Sequence, residues 1–215
     1  MTRVRKAKPT SFTAAVMLGV LFFLPGVVAP QQNAQTTAAA AAPVAARVSL
    51  TVDPAQSRVH WTVPSTLHTV HGTFGVTGGS MSFDPESGSA SGEIVVDTKS
   101  GESGNGGRDK RMHNEILETA KFPEAVFRPT RVEGKVSSSG GCDVKVYGTL
   151  SVHGSDHQIT ALVHAELAGK SCKGSAKYAV PYVLWGIKDP SNFMLKVNHV
   201  VSVEIEMSGS LEPAN

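Results

Sequence analysis

The chain has 215 residues, 40% of them hydrophobic, and a formal net charge of +2. That charge comes from the amino-terminal part: from residue 48 onward 15 Lys and Arg face 18 Asp and Glu, a net of −3. No basic tract lies there, which argues against nucleic acid as a partner, and the length suits one domain with a core of useful size.

The chain opens with a positive cluster, Arg3, Arg5, Lys6 and Lys8, followed by an apolar run over 12–29. Val27 and Ala29 stand at the spacing of an A-x-A cleavage site, so a signal peptide is predicted over 1–29 and a periplasmic or secreted location with it. The run is near the lower length limit for a bilayer span and Pro25 interrupts it, so an uncleaved anchor is the alternative. No cysteine follows the run, which disfavours a lipidated anchor. Residues 30–46, nearly all Ala, Gln, Thr and Pro, have too little large apolar surface to offset the entropy of ordering them, and read as a linker. The folded domain is expected over 47–215.

From Arg47 the dominant period is two. "RVHWTV" alternates Val59, Trp61 and Val63 with polar residues, and "HVVSVEIEMSGSLE" alternates Val201, Val203, Ile205 and Met207. Further runs are "GTFGV" with "SMSFD", "SGEIVVDT", "AVFRPTRVEG", "DVKVYGTLSVH", "QITALVHAEL" and "AKYAVPYV". Turn residues separate them: Gly78-Gly79, Asp84-Pro85 with Gly88, residues 137–141, and Gly154. Roughly eight or nine strands with one apolar face predict a closed antiparallel barrel or a sandwich.

One helix interrupts the strands, expected over 107–118. Asn105 is its N-cap and Asp109 complements the dipole of its first turn. Met112, Ile116 and Ala120 form a narrow apolar stripe, with Leu117 beside it. Pro123 prevents continuation. Gly101, Gly104, Gly106 and Gly107 read as a soft hinge before it. These glycines lack the G-x-x-x-x-G-K-[ST] pattern and no buried parallel strand precedes them, so they are no phosphate loop. His68, His71, His113 and Glu115 are the candidate ligands of a metal-dependent hydrolase, but their spacing is not that of a metal site, and no G-x-S-x-G offers a nucleophile. A helix of twelve residues is about 18 Å long and an eight-stranded barrel about 15–17 Å across. Such a helix spans one mouth, as a lid over a cavity or as a plug on a ligand-free structural barrel.

Cys142 and Cys172 flank what reads as one long hairpin turning at 153–157. In an oxidising compartment they are expected to pair, although the inward positions, even before the turn and odd after it, demand a bulge. No C-x-x-C spacing points to zinc or thioredoxin-like chemistry.

Several stretches together resemble the YceI-like family of periplasmic polyisoprenoid- or lipid-binding proteins. They are "HTVHGTF", "MSFDPESGSASGEIVVDTKSGESGN", "RDKRMHNEIL" with "FPEAVF", "GTLSVHGSDHQIT" and "NFMLKV", in that order over about 48–212. Arg108 and Asp109 match the family's Arg-Asp at the start of the helix. "KRMHNEILETAKF" and "YVLWGIKDPSNF" depart from its pattern. The resemblance implies an elongated lipocalin-like antiparallel eight-stranded β-barrel with one helical lid segment. It also implies an apolar tunnel for a long isoprenoid or related lipid. No other cofactor and no catalysis are expected, and transient contact with a membrane surface is. The expected wall is Trp61, Phe74, Phe83, Val96, Phe127, Val180, Tyr182, Trp185, Phe193, Val203 and Ile205. Met112, Ile116 and Leu117 are expected to face it from the helix.

Overall fold

A computed structural model of the chain describes residues 47–136 and 139–213. The expected signal peptide and linker, and part of the expected turn at 137–141, lie outside the described residues. The period-two runs form nine antiparallel strands: β1 (Val48–Val52), β2 (Arg58–Pro64), β3 (Thr69–Phe83), β4 (Ala90–Glu102), β5 (Glu124–Glu133), β6 (Gly140–Val152), β7 (Ser155–Ala168), β8 (Ser171–Val180) and β9 (Val201–Pro213). Strands β1 and β2 both lie between β3 and β9, one beyond the other. Nine strands therefore occupy eight positions, and pairing of β3 with β4 closes the ring. The barrel expected from the alternation is present, and the sandwich is not.

The break between β1 and β2 has a local cause. Pro54–Gln56 form a single 3₁₀ turn whose cap, Asp53, accepts a hydrogen bond from Ala55 N at 2.9 Å. Ser57, fully buried, donates to Asp53 O at 2.7 Å and accepts from Ser208 N at 3.1 Å, which ties the kink to β9. A buried hydroxyl satisfied in this way holds the two short strands in line.

Closure abolishes exposed edges and puts alternate residues inside. Val144, Val146 and Leu150 of β6 and Val59 and Trp61 of β2 are buried, while their sequence neighbours face water. Strand β6 has 13 residues. It rises about 44 Å, which a 36–45° tilt turns into a barrel about 31–36 Å high.

Two expectations about glycine are corrected. Gly78-Gly79 is no turn: both lie inside the 15-residue β3, at a register shift against β4. Gly79 has φ +141°, and a Cβ there would stand 2.2 Å from the Glu93 carbonyl oxygen. The glycine pair thus lets the seam close by a bulge. Gly101 is no hinge either, because it belongs to β4. A Cβ on it would sit 2.3 Å from the Phe74 ring and 2.9 Å from Met112 Cε, so its bare backbone is the seat on which both side chains rest.

The helical segment starts as read, with α1 (Gly106–Arg111) capped by Asn105, whose side chain accepts from Arg108 N. It then widens to a π-helical turn over Met112–Ile116. Leu117 N donates to Met112 O at 2.8 Å, so residues five apart stack rather than four. Met112 and Leu117 consequently share the inner side, and Ala120, expected on the same stripe, is exposed.

Candidate functional site

The two ends of the barrel are built differently. At one end, the turn end, short connections join β3 to β4, β5 to β6 and β7 to β8. At the other, the mouth, residues 103–123 return from β4 to β5 and residues 181–200 from β8 to β9. Side chains hold these long connections down. Arg108 donates to Ser103 Oγ at 2.7 Å and Ser103 O at 2.9 Å, and Ser103 Oγ donates to Asp109. The Arg-Asp pair thereby fastens the first helical turn to the end of β4. His113 Nε2 donates to Gly101 O at 2.8 Å. Thr98 Oγ1 donates to Phe122 O at 2.7 Å and secures the return to β5. Lys188 Nζ meets Glu115 Oε2 at 3.2 Å and joins the two connections, holding the Glu115 carboxyl below its ordinary range, with Arg111 adding to the effect.

Between these ends lies a cavity of about 580 Å³ whose wall reaches from Leu50 and Leu211 near the turn end to Leu117, Tyr182 and Leu195 at the mouth. It falls within the usual size of small-molecule sites. Its lining is almost wholly aliphatic and aromatic. Among the described residues its charged or basic liners are Arg108, Arg111 and His68, all from mouth segments. Burial pushes the phenols of Tyr178 and Tyr182 up to about 12, with Asp189 adding to the effect at Tyr182.

Of the wall expected from sequence, Trp61, Phe74, Phe83, Val96, Phe127, Val180, Tyr182, Val203 and Ile205 line this cavity, and Met112, Ile116 and Leu117 face it from the helical segment. Trp185 and Phe193 do not. Trp185 stacks on His157, ring centroids 4.0 Å apart and planes within 5°. Phe193 is 98% exposed, at the tip of a turn in which Asn192 Oδ1 accepts from Met194 N and Leu195 N. Both belong to 181–200, where no strand alternation fixes which side chain points inward. For the same reason Ile187, Leu195 and Val197 were not expected in the wall although they line it. Their apolar character was the only available signal.

The candidate hydrolase residues do not assemble. His71 Nδ1 bonds Thr62 Oγ1 at 2.9 Å, His113 is spent on Gly101, and Glu115 on Lys188 and Arg111. Among the described residues no group of three or more His, Cys, Asp or Glu could hold a metal ion.

The expected bond between Cys142 and Cys172 is corrected: both thiols are free. A second turn after β7 carries Cys172 onto β8, so β7 separates the two, Cys142 facing Ala165 and Cys172 facing Leu167. Two inter-strand spacings are roughly 10 Å, beyond the ~7 Å between Cα atoms that a disulfide spans. Both thiols face the cavity, and burial raises the Cys172 pKa, with neighbouring Cys142 adding to it.

Comparison with known proteins agrees with this architecture. The YceI-like domain model matches residues 50–209. A UPF0312 protein of Enterobacter sp. strain 638 is 31% identical over 103 residues, which are 47% of this chain and 50% of that protein. The chain thus matches about half the length of that relative. The crystal structure of Burkholderia cenocepacia BcnA has a TM-score of 0.60 at 15% identity, covering 73% of this chain and 98% of that one. A polyisoprenoid binding domain from Saccharophagus degradans has a TM-score of 0.58, also at 15% identity, over 76% and 98% of the two chains. Closed barrel, helical mouth segment and matched span lead to one conclusion: the chain belongs to the YceI-like domain family.

Proposed function

We propose that this protein is an exported, non-catalytic carrier that holds a long-chain isoprenoid or related lipid in its barrel. The observation that carries this reading is the 580 Å³ apolar cavity, whose charged side chains are confined to one mouth. Burying each CH₂ contributes about 0.8 kcal/mol, so ten such groups supply about 8 kcal/mol before association costs. Apolar burial alone reaches useful affinity, and no reactive group is needed. The polyisoprenoid-binding domain of Saccharophagus degradans, a structural neighbour, supports the ligand class. The basic cluster and apolar run before residue 30 support export.

Transient contact with a bilayer surface belongs to the same reading. Leu67, Leu184, Phe193 and Met194 are strongly exposed, and all four lie in connections at the mouth. Lys110, Lys121 and Lys196 are exposed around them. An exposed apolar rim with lysines of the same connections, beside Glu115 and Glu118, is an arrangement that settles on a lipid surface.

Native mass spectrometry of the purified protein followed by organic extraction tests the carrier. A co-purifying lipid of long apolar chain is the expected result. A stoichiometric metal in its place would favour the hydrolase, and neither would favour a structural barrel.

A further inference from the structure

Trp61 and Tyr182 are 8% and 6% exposed, and neither Trp61 Nε1 nor Tyr182 Oη has a hydrogen-bond partner in the protein. Both residues line the cavity. Strands β2 and β8 flank β9, and Trp61 on β2 pairs with Val203 of β9, while Tyr182 follows Val180, which pairs with Val201. The two side chains therefore belong to the mouth half of the barrel, on either side of the start of β9.

Buried polar groups are nearly always hydrogen-bonded, and one left without a partner forfeits its hydration. Phenylalanine would line the cavity at either place without that cost, so packing does not account for an indole N–H and a phenol O–H. Indole only donates, and the phenol stays protonated because burial and Asp189 push its pKa up to about 12. What both can meet is an oxygen acceptor. Arg108 and Arg111 also line the cavity from the mouth, Arg108 hydrogen-bonded to Ser103 and Arg111 paired with a Glu115 that it shares with Lys188.

We infer that Trp61 and Tyr182 form a headgroup subsite that donates hydrogen bonds to an oxygen acceptor at the end of a long apolar chain. The head lies at the mouth and the tail runs toward Leu50 and Leu211 at the turn end. This inference rests on the carrier reading and adds to it the chemistry and the direction of the lipid.

Three probes that share one branched C20 skeleton test it: phytol, its hydrocarbon phytane, and phytanic acid. Each competes with the fluorescent probe N-phenyl-1-naphthylamine for the full chain and for Tyr182→Phe and Trp61→Phe. Phytol is expected to displace the probe about tenfold more effectively than phytane, the gain from one satisfied buried hydrogen bond. Each variant should lower that preference, the ratio of phytol to phytane measured on the same variant, at least threefold. Tyr182→Phe should unfold at no lower temperature than the parent, because the hydroxyl removed has no partner in the protein. Equal displacement by phytol and phytane overturns the subsite and leaves the carrier reading intact, as does a preference that survives in both variants. Phytanic acid binding tenfold better than phytol, in both variants as in the parent, places the head on Arg108 and Arg111 and overturns the subsite. Failure of all three to displace the probe overturns the carrier reading itself.

Discussion

The turn end and the mouth of this barrel close by different physics. At the turn end the chain reverses tightly. Between β3 and β4 the Asp84 carboxylate accepts from Glu86 N at 2.9 Å and Ser87 Oγ at 2.8 Å, and at the next reversal but one Lys170 meets Glu212 at 3.0 Å. None of the exposed large hydrophobic residues among the described ones belongs to that end. At the mouth the continuous ladders end, and two long connections are held by scattered side-chain contacts and a few backbone hydrogen bonds, such as Thr66 N to Lys196 O and Asn198 N to Pro64 O. Elements fixed by continuous ladders open with the whole fold, whereas elements fixed by a few exposed contacts open locally. The wall is therefore expected to open only with the whole fold, and the mouth locally.

The sharpest way to break this division is a lesion in the wall. Gly79→Ala would set a methyl group 2.2 Å from the Glu93 carbonyl at φ +141°, in the seam that closes the ring. A loss of about 3 kcal/mol or more is expected in urea unfolding, with wall and mouth lost together. Preserved stability would show that the seam tolerates a slipped register.

Filling the tunnel comes next. Val203 is buried on β9 and lines the cavity. Val203→Trp should reduce lipid uptake at least tenfold while costing about 1–3 kcal/mol of stability. Unchanged uptake by the folded variant would remove Val203 from the wall of the site.

The mouth should respond in the opposite sense. Met112 and Ile116 line the cavity from the π-turn, so changing both to Ser should weaken lipid retention severalfold more than it lowers the unfolding midpoint. In hydrogen exchange the amides of 105–119 should exchange faster than strand amides without lipid and slow with it. Equal protection of helix and strands in both states would mean a permanent plug.

A smaller effect is expected from Phe193→Ser with Met194→Ser. Their exposure makes the cost to folding negligible, while binding to vesicles of phosphatidylcholine and phosphatidylglycerol should fall about tenfold. Undiminished vesicle binding by the variant would show that Phe193 and Met194 are not the contact.

The smallest effect concerns pH. The Glu115 carboxyl is held below its ordinary value of 4.5, chiefly by the Lys188 hydrogen bond. A lowered acid contributes fully above that value and loses its contribution as the pH falls through the folded-state pKa. Mouth amides should thus lose protection relative to strand amides only below pH 4.5, and Lys188→Met should shrink the difference to the part that Arg111 supplies. Mouth opening near neutral pH would point to another group.

What the sequence determined by itself was the wall. A period of two, sustained through β2, β6, β7 and β9, assigns each side chain to one face, and closure then turns that face into a lining. Trp61, Val203 and Ile205 could be placed inward because their position in an alternating run leaves no other choice. Tertiary structure decided the rest. The extra residue in the π-turn, the fate of Trp185 and Phe193, and the separation of Cys142 from Cys172 all depend on contacts between segments far apart in the chain. Gly78-Gly79 carries the same composition whether it turns a hairpin or bulges a strand, and only the approach of the Glu93 carbonyl distinguishes the two. Local periodicity fixes which way a residue points only where a ladder propagates it, and in 103–123 and 181–200 no ladder does.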